Sequence, residues 1–260
     1  SYVHFGEVPD LFERNEVVGE FAHPGPTSSS VAGPSPGAVT PDITEAISYV
    51  LVEYCCDPKS QLCSDRYSRH DGKVVLRIRL TEADDMTTPH GLQRALDQIN
   101  RYIGKVPVFL WGSLPCTLGS NWQTVNRNMP NFESRRDILS KQFIALHENF
   151  MTLAMPISSH RDGHVAYEWP KSCSLWRDKR IQKMLRKFKM DLVTIHGCSL
   201  GCVSSKGEPI KKPWKIDSTF LELIKQFQGC LCDGLHEHAI AQGKETSGTA
   251  FYPRLMTDYM

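Results

Sequence analysis

The sequence predicts an α/β fold: a doubly wound, mostly parallel sheet with a small Cys/His-containing extension at its C-terminal end. Three observations carry that reading. Short apolar runs take turns with amphipathic stretches of helical period, the pattern of strands joined by covering helices. The runs are close to continuously apolar, as strands buried on both faces are. Nine cysteines, at positions 55, 56, 63, 116, 173, 198, 202, 230 and 232, form an odd set without the spacing of a disulfide scaffold, so the 260-residue chain has to rest on a hydrophobic core.

Taken in order, residues 23–42, "HPGPTSSSVAGPSPGAVTPD", hold almost no large apolar side chain and read as a linker behind an N-terminal arm. "ISYVLVEYCC" is the first strand and "GKVVLRIRLT" the second. "HGLQRALDQINRYI" follows as a helix, with Leu92, Leu96, Ile99 and Ile103 at helical spacing. "VPVFLWGSLPC" is a third strand, and "ESRRDILSKQFIALHENFMTLAM" a long amphipathic helix carrying Ile138, Phe143, Leu146 and Phe150. "GHVAYEWP" is a fourth strand, "SLWRDKRIQKMLRKF" a basic helix, "DLVTIHGCSLG" a fifth strand and "STFLELIKQFQ" a late helix. "TSGTAFYPRLM" reads as a turn and an aromatic anchor that closes the domain. The expected organisation is an arm and linker over 1–42, a core over 43–205 and an extension over 206–260.

The balance of 30 Lys and Arg against 29 Asp and Glu leaves a formal charge of +1, so no chain-wide field draws the protein to nucleic acid or membrane. An anionic partner has to be met by a local patch. No run approaches the roughly 18 apolar residues of a membrane span, and the first residues lack a basic-then-apolar leader. The expectation is an intracellular protein, nuclear or cytoplasmic, with no membrane partner.

Ligands on such sheets sit beyond the carboxyl ends of the strands, which singles out a few residues. Glu53, at the end of the first strand, suits the hydroxyls or amine of a nucleotide-like cofactor, or else caps a helix or pairs with an arginine. No G-x-G-x-x-G follows it, so a dinucleotide cradle is not supported. Asp85, with Glu82 and Asp84, stands where such sheets hold a ribose-binding acid; the Met-Thr-Thr-Pro that follows equally fits the start of a helix. Cys116 lies in a Pro-Cys-Thr turn where a nearby base, cation or helix end would activate a thiol. Beyond it, Trp122 offers a stacking face and Gln123 an amide that reads polar edges. Glu168, beside Trp169, would have a raised pKa and could share a proton, unless it pairs with Lys171 or Arg177.

Near the C-terminus, "GCLCDGLHEHAIAQGK" places Cys230, Cys232, His236 and His238 together, the ligand types of structural zinc. C-x-C and H-x-H are tighter than common finger spacing, and Cys198 and Cys202 in "HGCSLGC" are available to complete or replace part of the set. Reduced cysteines and surface histidines are the alternative.

The order of these segments resembles the Rossmann-like class I S-adenosylmethionine-dependent methyltransferases, and among them the cytosine carbon-5 enzymes. "PCT" at Pro115 to Thr117 resembles their Pro-Cys motif, "YEWP" at Tyr167 to Pro170 their Glu motif, and "KKPWKI" at Lys211 to Ile216 a Lys-Pro segment that follows. The span from about Ile43 to Tyr252 also resembles an uncharacterised domain of protist mobile-element polyproteins. The first resemblance implies S-adenosylmethionine as cofactor, with Glu53, Cys55, Asp57, Asp85 and Ser113 as candidate contacts. It implies that Cys116 adds to carbon 6 of a cytosine while Glu168 holds ring nitrogen 3, and that the base leaves its stack to be reached. DNA or RNA would be the partner, its phosphates met by Lys179, Arg180 and Lys183 on the basic helix, which otherwise is simply a solvated face. The chain departs from the family in lacking a glycine-rich first motif, in carrying Trp-Pro after the Glu where Asn-Val is usual, and in lacking an Arg-x-Arg motif. The second reading is therefore a non-catalytic, zinc-containing nucleic-acid-binding domain of a mobile-element protein.

Overall fold

The computed structural model describes residues 47–240 and 251–260; the expected arm and linker over 1–42 lie outside the described residues. Seven strands among the described residues form one mixed, mostly parallel sheet in the order β2-β3-β1-β4-β5-β7-β6. They are β1 (Ile47–Tyr54), β2 (Arg69–His70), β3 (Lys73–Leu80), β4 (Val108–Gly112), β5 (Gly163–Pro170), β6 (Asp191–His196) and β7 (Pro213–Ser218). β3, β1, β4 and β5 run parallel, whereas β2 is antiparallel to β3 and β7 is antiparallel to both β5 and β6.

The crossovers that follow β3 are made through helices, the usual solution for parallel strands. β3 leads through α1 (Pro89–Ile99) to β4, β4 through the short α2 (Trp122–Val125) and the 27-residue α3 (Phe132–Ser158) to β5, and β5 through α4 (Lys179–Phe188) to β6. α1 starts as its Thr-Pro sequence asks: Thr88 is the N-cap, its hydroxyl accepting the Gly91 N–H at 3.1 Å, and Pro89 fills the first turn where no N–H is needed. α5 (Leu221–Phe227) and α6 (Arg254–Tyr259) close the opposite side.

Side chains alternate across the sheet. Val50, Val52, Tyr54, Leu110, Val165 and Tyr167 enter the core beneath α1, α3 and α4, where Phe150 and Leu153 of α3 and Ile181 of α4 are buried. Trp111, Ala166, Ile195, Trp214 and Ile216 enter a second core, which they share with Leu223, Ile224 and Phe227 of α5 and Met256 of α6. Burying an aromatic or aliphatic side chain of this size stabilises by about 1.5–3 kcal/mol, so helices on both faces are what the apolar runs demand.

The expected core boundary at 205 does not separate two bodies. β7 lies inside the sheet between β5 and β6, and the compact unit runs over Ile43–Met260. "PWKIDS" is short and begins with proline, but Trp214 and Ile216 alternate with Lys215 and Asp217 in the strand period. The two charged residues of that strand are paired, Lys215 Nζ lying 3.1 Å from the Asp217 carboxylate.

Candidate metal centre and strand-end cluster

Cys198, Cys232, His236 and His238 come together so that their ligand atoms all lie within 4.8 Å of one another. Cys198 stands on the turn that leaves β6. Gly197 makes that turn possible: a β-carbon there would lie 2.9 Å from Cys202 Cβ and 3.0 Å from the Ile210 carbonyl oxygen. The other three ligands sit on a segment over 229–240 that contains no helix or strand. His196 anchors it, donating its backbone N–H to the Cys230 carbonyl at 2.8 Å and accepting the Cys232 N–H on Nδ1 at 3.0 Å. The far end is tied down where the Ala239 N–H meets the Pro209 carbonyl at 2.9 Å.

The geometry fits a metal. Cys232 Sγ lies 3.7 Å from His236 Nε2 and 3.3 Å from His238 Nε2. Tetrahedral bonds of about 2.3 Å to sulfur and about 2.0 Å to nitrogen put the two ligand atoms about 3.5 Å apart. His236 turns its other nitrogen, Nδ1, to Asp233 at 3.3 Å, the carboxylate–histidine arrangement that fixes ring orientation at metal sites. Four side chains of these types can chelate an ion.

Cys230, expected as the fourth ligand, is not in the group, and Cys198 stands in its place. Cys230 is the middle residue of a tight turn in which the Leu231 N–H bonds the Gly229 carbonyl at 2.7 Å, and its thiol lies 4.0 Å from the Gln226 carbonyl. Cys202, the other alternative, is buried in the second core.

The second cluster lies at the carboxyl ends of β1, β4 and β5. Glu53 is 1% exposed and pairs in register with Trp111, which in turn pairs with Ala166, two residues before Glu168. Alternation therefore puts Glu53, Trp111 and Glu168 on one face of the sheet. Glu53 accepts the Ser60 hydroxyl on Oε1 at 2.6 Å, and Oε2 has no hydrogen-bond partner. Burial raises its carboxyl above the ordinary value, opposed by the Ser60 bond, the Cys63 thiol, Arg79 and the Cys56 thiol in that order.

Glu168 is 5% exposed. Burial pushes its carboxyl up to about 7, against the pull of its bond to Tyr252 and of Lys212 nearby. The Tyr252 hydroxyl donates to Glu168 Oε2 at 2.7 Å and accepts the Trp111 indole N–H at 3.0 Å; Glu168 Oε1 is left without a partner. Neither Lys171 nor Arg177 pairs with it.

Cys116 is half-buried beside Glu168 and Lys212. Its loop is fixed by the Trp169 indole, which donates to the Leu114 carbonyl at 2.5 Å, and by the Ser113 N–H, which donates to the Tyr54 carbonyl at 3.1 Å. Burial first, and the Glu168 charge second, push the Cys116 thiol up, with Lys212 pulling the other way. An activated nucleophile requires the opposite shift.

The remaining expected residues are dispersed. Cys55 sits at the end of β1 with φ 61°, and burial raises its thiol. Asp57 is exposed and accepts the Lys59 N–H at 2.7 Å. Asp85 is exposed, with φ 44°, and accepts the Thr87 hydroxyl at 2.5 Å, while Asp84 closes a capping box with Thr81. The acidic run after β3 is thus engaged in turn and helix-start chemistry. Trp122 is 45% exposed, and Gln123 spends an amide hydrogen on the Thr117 carbonyl at 3.0 Å. Lys179, Arg180 and Lys183 are exposed on α4, Arg180 also meeting Asp178 at 3.1 Å. A cavity of about 200 Å³ opens between Lys105–Val108 and His160–Gly163, at the amino ends of β4 and β5, away from Glu53, Cys116 and Glu168.

Sequence reasoning missed Lys212 and Tyr252 as members of the cluster. Lys212 was signalled only by its place in "KKPWKI", and Tyr252 only as an aromatic anchor. No helix among the described residues is long and apolar enough to cross a membrane. No family model, curated protein or solved structure matches the chain.

Proposed function

We propose that the chain is a zinc-containing nucleic-acid-binding domain, in the mobile-element setting that its resemblance implies. The observation that carries the reading is the Cys198, Cys232, His236 and His238 group, whose two-sulfur, two-nitrogen donor set suits zinc with no position left open, a structural site. The ion would hold the 229–240 segment against the end of β6, where no secondary structure does so.

The nucleic-acid half of the reading rests on α4. Lys179, Arg180, Lys183, Arg186 and Lys187 are all exposed, and Ile181 and Met184 are buried. At 3.6 residues per turn the five cations span about 120° of arc, a stripe turned away from the buried face. Such a stripe contacts phosphates without reading sequence. Zinc content of the purified protein by elemental analysis tests the first half, with one equivalent expected and a content near zero refuting it. Fluorescence anisotropy with labelled single- and double-stranded DNA and RNA tests the second. Lys183→Ala is expected to weaken binding uniformly across sequences and to lower the salt slope by about 1; an unchanged slope refutes the stripe.

A second reading, base recognition at Glu168 and in its sharpest form carbon-5 cytosine methyl transfer, is favoured by one observation. Glu168, Cys116 and Lys212 gather at the strand ends, on a sheet whose reversed β7 lies between β5 and β6. In that chemistry Cys116 would give up its proton and bond carbon 6 while Glu168 held ring nitrogen 3; S-adenosylmethionine would supply the methyl group to carbon 5 and leave as S-adenosylhomocysteine, and loss of the carbon-5 proton would eliminate the thiol. Glu53, Cys55 and Ser113 would face that cofactor, while the exposed turns of Asp57 and Asp85 offer it less. The raised Cys116 thiol and the engaged Asp85 weigh toward recognition without catalysis. Calorimetry with S-adenosylmethionine and covalent trapping on a 5-fluorocytosine oligonucleotide separate the two; heat and a Cys116-dependent adduct would establish the enzyme.

A further inference from the structure

We infer that Tyr252 is a built-in occupant of the Glu168 site, which a ligand must displace to reach the carboxyl. This rests on the reading of Glu168 as a base-recognising group and adds a regulation to it. The phenol stands where ligands of such sheets bind, at the carboxyl ends of the strands. Its ring is edge-on to the indoles of Trp111 and Trp214, with centroids 5.8 Å and 6.4 Å away. The hydroxyl does two things at once: it donates to Glu168 Oε2 at 2.7 Å and accepts from Trp111 Nε1 at 3.0 Å. A planar heterocycle with a donor beside an acceptor, such as the amino group and ring nitrogen 3 of cytosine, can meet both oxygens of a protonated Glu168 carboxyl in place of the phenol.

The segment is built to let the side chain go while its anchor stays. Phe251 to Pro253 form no helix or strand, whereas Met256 is wholly buried in the second core. Tyr67 fixes α6 through Thr257 at 2.7 Å and Asp258 at 2.8 Å, and Arg66 meets Asp258 at 3.5 Å. Displacing Tyr252 therefore gives up its ring contacts with Trp111 and Trp214 while α6 keeps its own anchors. Glu168 Oε1, buried and without a partner, is the part of the carboxyl that the phenol does not satisfy. A ligand able to reach both oxygens gains a bond that the tyrosine lacks.

The test is titration of the full chain with free cytosine, read by the fluorescence of the buried tryptophans and checked by calorimetry, in the wild type, Tyr252→Phe and Tyr252→Ala. Tyr252→Phe keeps the ring and removes both hydroxyl bonds, so cytosine should bind about fivefold tighter or more. Tyr252→Ala should bind tighter still, and its melting temperature should rise more on adding cytosine than that of the wild type. Should Tyr252→Ala not fold, the comparison with Tyr252→Phe decides. Equal or weaker binding to Tyr252→Phe than to wild type overturns the occupant while leaving base recognition standing. Absence of binding in every variant overturns base recognition at Glu168, and the occupant with it. A Glu168→Gln variant in the Tyr252→Phe background should lose the gain; if it does not, the hydroxyl was not guarding this carboxyl.

Discussion

The strand-end cluster and the metal-ligand segment are organised in opposite ways. Around Glu53 and Glu168 the backbone is fixed by parallel strands and two apolar cores, and the polar groups are buried with two carboxylate oxygens unpartnered. Between 229 and 240 there is no regular structure, little apolar burial and an exposed Leu235, yet four ligating side chains converge. In the first region regular strands position the polar groups; in the second the hydrogen bonds of His196 and of Ala239 with Pro209 do so. The contrast leaves the first electrostatically costly, and the second tied by a few hydrogen bonds around a ligand set that could hold an ion.

The comparison breaks hardest at Cys232. Cys232→Ser should abolish zinc binding and release the 229–240 segment to protease while the seven-stranded sheet persists by circular dichroism. Structural zinc contributes on the order of 10 kcal/mol in small folds, so chelation of the wild type should reproduce the effect. Zinc retained by the variant would assign the ligand wrongly.

Next in size is a pH effect confined to the strand ends. Glu168 keeps its proton in the folded state up to about 7, against an ordinary value of 4.5. The folded protein therefore holds more protons than the unfolded chain between those values, and stability falls as pH rises through that window. The wild type should lose about 3 kcal/mol there relative to Glu168→Gln, which cannot ionise. Denaturant melts of both proteins at pH 4.5 and about pH 8 measure it; a constant difference would mean that Glu168 is not held protonated.

Gly197→Ala, which joins the two regions, should cost about 1–3 kcal/mol, because its β-carbon would press on Cys202 and the Ile210 carbonyl. Zinc affinity should fall with it, since Cys198 is the next residue. The smallest effect belongs to Cys230→Ser, expected within about 0.5 kcal/mol of wild type with full zinc content. Loss of zinc there would restore the Cys230 set and displace Cys198.

Much of the sheet was legible because its information is local. The continuous apolar runs of β1, β4 and β5 and the Thr88-Pro89 helix start each carry their own signature. β7 was not, because six residues opening on proline with Lys215 and Asp217 inside resemble a loop until the partner strands are known. The Cys/His ligand set was legible in type but not in membership. Cys232, His236 and His238 are neighbours in sequence, whereas the choice between Cys198 and Cys230 is made by the turn at Gly229 and by His196. Tyr252 reaches Glu168 across 84 residues, a contact that only the packing of α6 against the second core brings about.

The reversed strand has a consequence for how the chain can be assembled. β6 pairs only with β7 among the described strands, and β7 is the last of the seven to be synthesised, so residues 191–196 have no sheet neighbour until Ser218 has emerged from the ribosome. Until then the edge of β5 stays open, ready to pair with another chain. A truncation before Pro213 should therefore yield an aggregating product rather than a smaller soluble domain.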